Sequence, residues 1–233
     1  MNEMLSRTKA LYGEENALKL KNMHVAVFGL GGVGCYAVEA LARSGIGAIT
    51  LVDCDSYSKS NLNRQLYATK QTIGLKKTDV CCARIKEISE NVSVFTFNVF
   101  IDENTVNQID FSSFSYVIDA IDFLNGKIAI VKKCKENGVK VISSMGTGNK
   151  IDPTAFKVED IYKTKQCPLA KKMRLLCREN NIESLKVVYS EELPRPSAFE
   201  NGKRVPASNS FVPPVAGLIL AGTVINELIG EQL

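Results

Sequence analysis

Histidine is nearly missing: His24 is the only one in 233 residues. That excludes a zinc site built on several histidines and a helical His pair, and it leaves any histidine-dependent triad a single residue to use. The seven cysteines (Cys35, Cys54, Cys81, Cys82, Cys134, Cys167 and Cys177) are odd in number, and none are spaced C-x-x-C. A disulfide framework and a zinc ribbon are thereby excluded, and the free thiols fit a reducing, cytoplasmic compartment. The charged opening MNEMLSRTKALYGEE does not read as a signal peptide. No long apolar run occurs either: residues 215–225, the longest, number 11, about half of the ~20 that cross a bilayer. We expect a buried helix there and no transmembrane segment. No G-x-x-x-x-G-K-[ST] stretch is present, so phosphates are not held by a P-loop.

What is present is an ordinary globular composition, 45% hydrophobic and 23% charged, with a mild excess of +4. Disorder and collagen-like repeats are incompatible with it. A modest basic bias suits an anionic partner without requiring one. The chain then alternates. Short helices are expected over residues 2–21, a strand over 24–28, and a helix over 31–44 ended by Gly45-Ile46-Gly47. A strand over 48–52, a helix over 76–89 and strands over 92–99 and 115–120 follow. Next come a helix over 123–137 and a strand over 139–143. Strict alternation implies an α/β fold, a Rossmann-like doubly wound, mostly parallel sheet with helices on both faces. Beyond Gly146-Thr147-Gly148-Asn149 lies a C-terminal extension: a strand over 155–158, a very basic helix over 168–180, a strand over 185–189, a polar loop over 191–210 and the apolar closing helix.

Gly29-Leu30-Gly31-Gly32-Val33-Gly34 fits G-x-G-x-x-G, and it stands where that pattern has meaning, between a strand and a helix. Such glycines let backbone approach a phosphate, and the helix start offers free N–H groups. Asp53, at the end of the second strand, is placed to accept ribose hydroxyls. The motif alone does not separate a dinucleotide from ATP. Downstream, Asn61, Asn63, Arg64 and Gln65 follow the second strand, and Lys77 opens the next helix. Arg64 and Lys77 suit β- and γ-phosphates, and the asparagines suit sugar and triphosphate oxygens. As a set they favour a triphosphate over the apolar adenine slot of a dehydrogenase. Taken singly, Asn61 and Asn63 are equally turn residues and Arg64 a surface ion pair. Asp122, just past the fourth strand, is our choice for a carboxylate holding Mg²⁺. Asp119 points elsewhere in this reading, and Lys127 either reaches substrate or pairs with an acid. Between positions 163 and 178 stand Lys163, Lys165, Lys171, Lys172, Arg174 and Arg178 with no acid among them. That run is either a solvated helix face or a track for a nucleic-acid backbone.

These residues together, GxGGVG, Asp53-x-Asp55, Asn61-x-Asn63-Arg64-Gln65, Gly74-x-x-Lys77 and Asp119-Ala-x-Asp122, resemble the adenylating domain shared by ubiquitin-activating enzymes and the ThiF/HesA/MoeB proteins. Arg7-Thr8 with Leu11-Tyr12-Gly13-Glu14, the Ala40–Gly47 stretch, Pro168-Leu169-Ala170-Lys171, Tyr189-Ser190-Glu191-Glu192 and Ser210-Phe211-Val212-Pro213-Pro214 are similar to one branch, the tRNA threonylcarbamoyladenosine dehydratases. Cys167 stands where that branch leads us to expect an acid. The resemblance implies an ATP-binding adenylating domain over residues 1–149 and an extension over 150–233 packed on the same sheet as one globular unit. It implies nucleotide binding by Gly29, Gly31, Gly32, Gly34, Asp53, Asp55, Asn61, Asn63, Arg64, Gln65, Lys77 and Asp122. Catalysis falls to Arg64, Lys77, Asp122 and Arg7, the last acting as a finger in a partner subunit's site. Lys127, Lys171, Lys172 and Arg174 are the expected tRNA contacts. ATP and Mg²⁺ are the implied cofactors, and a monovalent cation (Na⁺ or K⁺) is compatible with them. The implied partners are tRNA carrying threonylcarbamoyladenosine and a second copy in a homodimer; relatives leave room for a cysteine desulfurase-type sulfur-transfer partner. The competing enzymatic reading is an activating enzyme for a ubiquitin-like or sulfur-carrier C-terminus, with Cys167 as its thiol. The lack of C-x-x-C pairs weighs against it.

Overall fold

The computed structural model describes residues 3–200 and 203–231. Two short helices, α1 (Ser6–Tyr12) and α2 (Glu14–Lys21), precede strand β1 (His24–Phe28). Then come α3 (Gly34–Ser44), β2 (Ala48–Val52), α4 (Lys77–Ile88), β3 (Ser93–Phe97), β4 (Tyr116–Asp119), α5 (Leu124–Glu136) and β5 (Lys140–Ser144). The second half supplies β6 (Phe156–Asp160), α6 (Pro168–Glu179), β7 (Lys186–Ser190), a small hairpin of β8 (Ala198–Glu200) and β9 (Lys203–Val205), and α7 (Val212–Ile229).

Seven strands form one sheet in the order β3-β2-β1-β4-β5-β7-β6. Every pairing is parallel except β6 with β7. The central strands read as continuous apolar runs because both of their faces are covered; Val25, Ala26, Val27 and Phe28 are all fully buried. On one face Leu20 of α2, Val38 and Leu41 of α3, Ile85 of α4 and Leu220 and Val224 of α7 make a single apolar cluster. The other face is covered by α5, α6 and the irregular β3–β4 crossover, whose Phe111 stacks on Phe28 at 5.5 Å. Each such fully buried side chain contributes roughly 1.5–3 kcal/mol.

Two boundaries differ from expectation for physical reasons. Helix α3 starts at Gly34 rather than residue 31, because Gly29 has φ +88° and the chain must turn before it can coil. The polar loop over 191–210 contains the β8–β9 pairing, which has no apolar alternation to announce it. Helix α7 is as apolar as a membrane span (mean hydropathy 1.6 over 18 residues), yet 61% of it is buried in the molecule, most closely against α3. The core accounts for its composition. The sole histidine is also accounted for: His24 Nε2 lies 2.8 Å from Thr50 Oγ1 and its ring packs edge-on to Phe114. It sits at the start of β1, at the opposite end of the strand from the glycine loop.

Candidate nucleotide site

The carboxyl ends of β1, β2 and β4 meet at a crevice, the usual ligand position in a doubly wound sheet. The four glycines of the loop after β1 divide the work. A Cβ on Gly29 would lie 2.7 Å from Ala120 O, and one on Gly34 would lie 1.8 Å from Gly29 O, so these two exist for close packing of loop against strand ends. A Cβ on Gly32 would press on Arg64 Cγ at 3.2 Å and Pro213 Cβ at 3.3 Å. Above Gly31 there is open space, with only Gln65 Nε2 near, at 3.9 Å. At the start of α3 the Cys35 N–H donates to Gly31 O at 3.2 Å, and the Tyr36 and Ala37 N–H groups donate to Val33 O at 3.2 and 3.3 Å, so backbone donors for an anion would come from the loop over 31–34 ahead of the helix.

Asp53 is fixed by this loop. Leu30 N–H donates to its Oδ2 at 2.7 Å and Asp55 N–H to its Oδ1 at 2.8 Å. Lys77, buried at the first position of α4, donates to Asp55 Oδ2 at 2.8 Å and stands 3.6 Å from Asp53. The lysine holds the Asp55 carboxyl below the ordinary aspartate value. Asp53, Cys54 and Asp55 are close enough to share a cation, but the Lys77 ammonium already supplies that charge.

Arg64 is half-buried over Gly32, and its Nη1 donates to Ser60 O and Asn63 Oδ1, both at 2.9 Å. Its partners are neutral oxygens, not the surface acid that was the alternative, so no acid among the described residues compensates its charge. Asn63 Nδ2 donates to Ser208 O at 3.2 Å, tying the segment ahead of α7 to the site. Asn61 Oδ1 accepts Ser58 N–H at 3.0 Å and closes a one-turn helix cap, which is the turn role. Gln65 is buried, and its Oε1 has no hydrogen-bond partner among the described residues. A buried amide oxygen beside an open glycine loop is the kind of orphan a ligand satisfies, and the cradle therefore fits a nucleotide. Asp122 is exposed in the β4–α5 loop, which adjoins the glycine loop through Ala120, and it is bonded to nothing among the described residues. A free carboxylate oxygen there fits a hard cation such as Mg²⁺.

The remaining expectations separate. Arg7 is exposed on α1, which packs on α2 apart from this group. Lys171 and Lys172 are exposed on α6, and Lys172 shares an open cleft with Asp122. Arg174 is turned inward, donating to Thr164 O at 3.0 Å and to Thr164 Oγ1. Its task is to hold the segment before α6. Lys127 corrects the sequence expectation outright. It is completely buried, 2.9 Å from Asp119 Oδ2 and bonded to Ser143 Oγ and Ser144 O, so no tRNA backbone meets it. Asp119 in turn accepts Ile121 N–H at 3.2 Å, which fixes the start of the loop carrying Asp122. Sequence reasoning missed Asn209, whose Oδ1 accepts the Phe211 N–H at 3.2 Å and the Val212 N–H at 2.8 Å and so fixes the turn that leads into α7 beside the glycine loop. The signal was available, since an Asn side chain readily bonds backbone two residues on and sets a turn. Cys167, the thiol of the competing reading, is 3% exposed.

The model of the ThiF family matches residues 5–232. The chain is 41% identical to the tRNA threonylcarbamoyladenosine dehydratase of Bacillus subtilis (strain 168) over 99% of this chain and 96% of the relative. It is 42% identical to the protein of the same name from Escherichia coli (strain K12) over 72% of this chain and 62% of that relative. Among solved structures, E. coli tRNA N6-threonylcarbamoyladenosine dehydratase, TcdA, in complex with ATP is similar with a TM-score of 0.89 and 33% identity, covering 97% of this chain and 94% of that one.

Proposed function

Because the chain belongs to the ThiF family, we propose that it is an ATP-dependent tRNA threonylcarbamoyladenosine dehydratase. It adenylates the threonyl carboxylate of that nucleoside, next to the anticodon, and promotes closure to the cyclic form. The observation that carries this reading is the Arg64 cation, which lies over Gly32 of the glycine loop and pairs with no acid among the described residues, together with Lys77 held beside Asp53 and Asp55 at the end of β2. A nicotinamide site has no use for that arrangement, whereas a departing pyrophosphate does.

In the first step a carboxylate oxygen of the substrate attacks the α-phosphorus of ATP and the bond to pyrophosphate breaks. Charge grows on the leaving group, and fixed cations already in place stabilise it without reorganising. Arg64 supplies one; Lys77, whose ammonium has three donors and gives one to Asp55, supplies another. The glycine loop and Gln65 orient the nucleotide, and Asp53 serves the ribose. Mg²⁺, held by Asp122, would neutralise triphosphate oxygens. In the second step the carbamoyl nitrogen attacks the acyl carbon, loses its proton to solvent and expels AMP. Ring closure is intramolecular, so positioning suffices and no enzyme nucleophile is needed. A chain whose one histidine is structural can perform it.

The same reading has Arg7 crossing into a partner subunit's site in a homodimer, residues 1–149 and 150–233 working as one unit in the cytoplasm, and Lys171 and Lys172 meeting the tRNA. A monovalent cation enters no step. The alternative, activation of a carrier-protein C-terminus, often uses an accessible thiol for onward transfer, and burial of Cys167 disfavours that version of it. The test is pyrophosphate release with ATP and Mg²⁺, combined with mass spectrometry of the tRNA nucleosides. Release stimulated by tRNA bearing threonylcarbamoyladenosine, with loss of water from that nucleoside, is expected. Stimulation by a carrier protein and not by the tRNA would overturn it.

A further inference from the structure

Beside the nucleotide site lies an open cleft of about 550 Å³ between the starts of α5 and α6, lined by Asp122, Phe123, Leu124, Asn125, Leu169 and Lys172. Phe123 is 38% exposed and Phe100 50% exposed, and their ring centroids are 5.1 Å apart. Two aromatic rings at the surface are not filling the core. They are nevertheless held: a Cβ on Gly126 would lie 2.5 Å from Ile101 O and 3.3 Å from Phe123 Cδ1, so the first turn of α5 and the Phe100–Ile101 segment close on each other across a glycine. The cleft itself carries one charge of each sign, Asp122 and Lys172, and the α6 surface beside it is positive. Lys171 and Lys172 are exposed and pair with no acid among the described residues, and a second depression of about 530 Å³ along α6 is lined by Lys171, Lys172, Leu175 and Arg178.

We propose that Phe123, backed by Phe100, is the stacking platform for the adenine of the nucleotide being modified, with Lys172 and Lys171 taking the flanking phosphates. The proposal rests on the dehydratase reading and names where its base is read. Single-stranded RNA loops are recognised by stacking unpaired bases on aromatic rings with cations along the backbone, and both elements are present at one cleft. Position adds the chemical argument. Asp122 and Phe123 line the same cleft, so a base on Phe123 lies next to Asp122. The threonylcarbamoyl arm projects from the edge of that base, and its carboxylate, a few bonds on, is then directed to the crevice where the α-phosphorus is open. Asn125, exposed in the same cleft, offers an amide donor and acceptor to the base edge.

The experiment measures binding of a synthetic anticodon stem-loop RNA carrying threonylcarbamoyladenosine, together with KM for that RNA and for ATP. Phe123→Ala is expected to weaken RNA binding by roughly five- to a hundred-fold, the loss of one base–aromatic stack, with KM for ATP unchanged. Phe123→Tyr, which keeps a π-face, is expected to bind like the parent. Undiminished RNA binding in Phe123→Ala, with the parent binding normally, overturns the platform and leaves the dehydratase reading standing. A Phe123→Tyr variant as weak as Phe123→Ala also overturns it, since stacking would not be the cause. Failure of the parent chain to bind the modified RNA overturns both.

Discussion

Two lysine–aspartate pairs flank β1, one at the carboxyl end of β2 and the other at that of β4, and they differ in what they leave free. Lys127 and Asp119 are both at 0% exposure, and the three ammonium donors are spent on Asp119, Ser143 and Ser144. Lys77 is buried as well, but its close partner Asp55 is 63% exposed. A phosphate can therefore compete with Asp55 for the second lysine, while no ligand reaches the first. The same two residue types at the ends of two strands thus serve different ends: the β4 pair fixes the geometry of the loop that carries Asp122, and the β2 pair holds a cation ready at the crevice. Burial of the acid, not of the lysine, makes the difference.

The sharpest way to break this contrast is to remove one partner of the sealed pair. Lys127→Met leaves the buried Asp119 with the Ser143 hydroxyl and the Ile121 N–H but no cation, and breaking such a pair is expected to cost about 3–5 kcal/mol, read from urea unfolding. Lys127→Met combined with Asp119→Leu removes both charges and is expected to recover most of that loss. If Lys127→Met cost under ~1 kcal/mol, the sealed and open pairs would belong to one class and the contrast would fail.

Next in size are the open charges. Arg64→Ala is expected to reduce tRNA-stimulated pyrophosphate release by about 10²–10³-fold, the range for losing one preorganised donor at developing charge. Its unfolding free energy should stay within ~0.5 kcal/mol, because its present partners are the neutral Ser60 O and Asn63 Oδ1. Asp122→Asn should lose activity comparably and regain part of it as Mg²⁺ is raised, since a carbonyl oxygen remains as a weaker ligand. A stable, fully active Arg64→Ala protein would remove the cation on which the adenylation reading depends.

Much of this layout is legible in the amino-acid sequence. The ends of β1 and β2 came out at the expected residues because Gly29 and the Asp53-Cys54-Asp55 turn punctuate them, and the glycine loop, Arg64, Gln65 and Lys77 share a crevice because a parallel sheet gathers its strand ends. The strand order beyond β5 was not legible. Nothing in residues 156–160 says that β6 pairs antiparallel on the outside of β7, since pairing partners are set by packing far along the chain. Lys127 illustrates the same limit at one residue. Its sequence neighbours allow substrate or acid equally, and only the placement of Ser143 and Ser144 on the adjacent β5 decides for the acid. Asn61 is the converse case: of the two roles its sequence allows, turn or ligand to sugar oxygens, its Oδ1 already fills the first by closing its own turn.

The smallest expected effect concerns acid, and it follows from the direction in which Lys77 moves Asp55. The Asp55 carboxyl is held below its ordinary value of 3.8, first by the hydrogen bond from Lys77. A carboxyl depressed on folding binds protons more weakly folded than unfolded, so it stabilises the fold above the ordinary value and loses that contribution as pH falls through the depressed one. Since Asp55 is largely exposed, solvent screens the pair, and about 0.2–1 kcal/mol is the expected size. Asp55→Asn should therefore be slightly less stable than the parent at pH 6 and equal to it near pH 2, measured by urea unfolding at both. A gap between the two proteins that widened on acidification would mean that Asp55 is not the partner Lys77 holds, and with that the β2 pair would lose the exchangeable acid that sets it apart from the β4 pair.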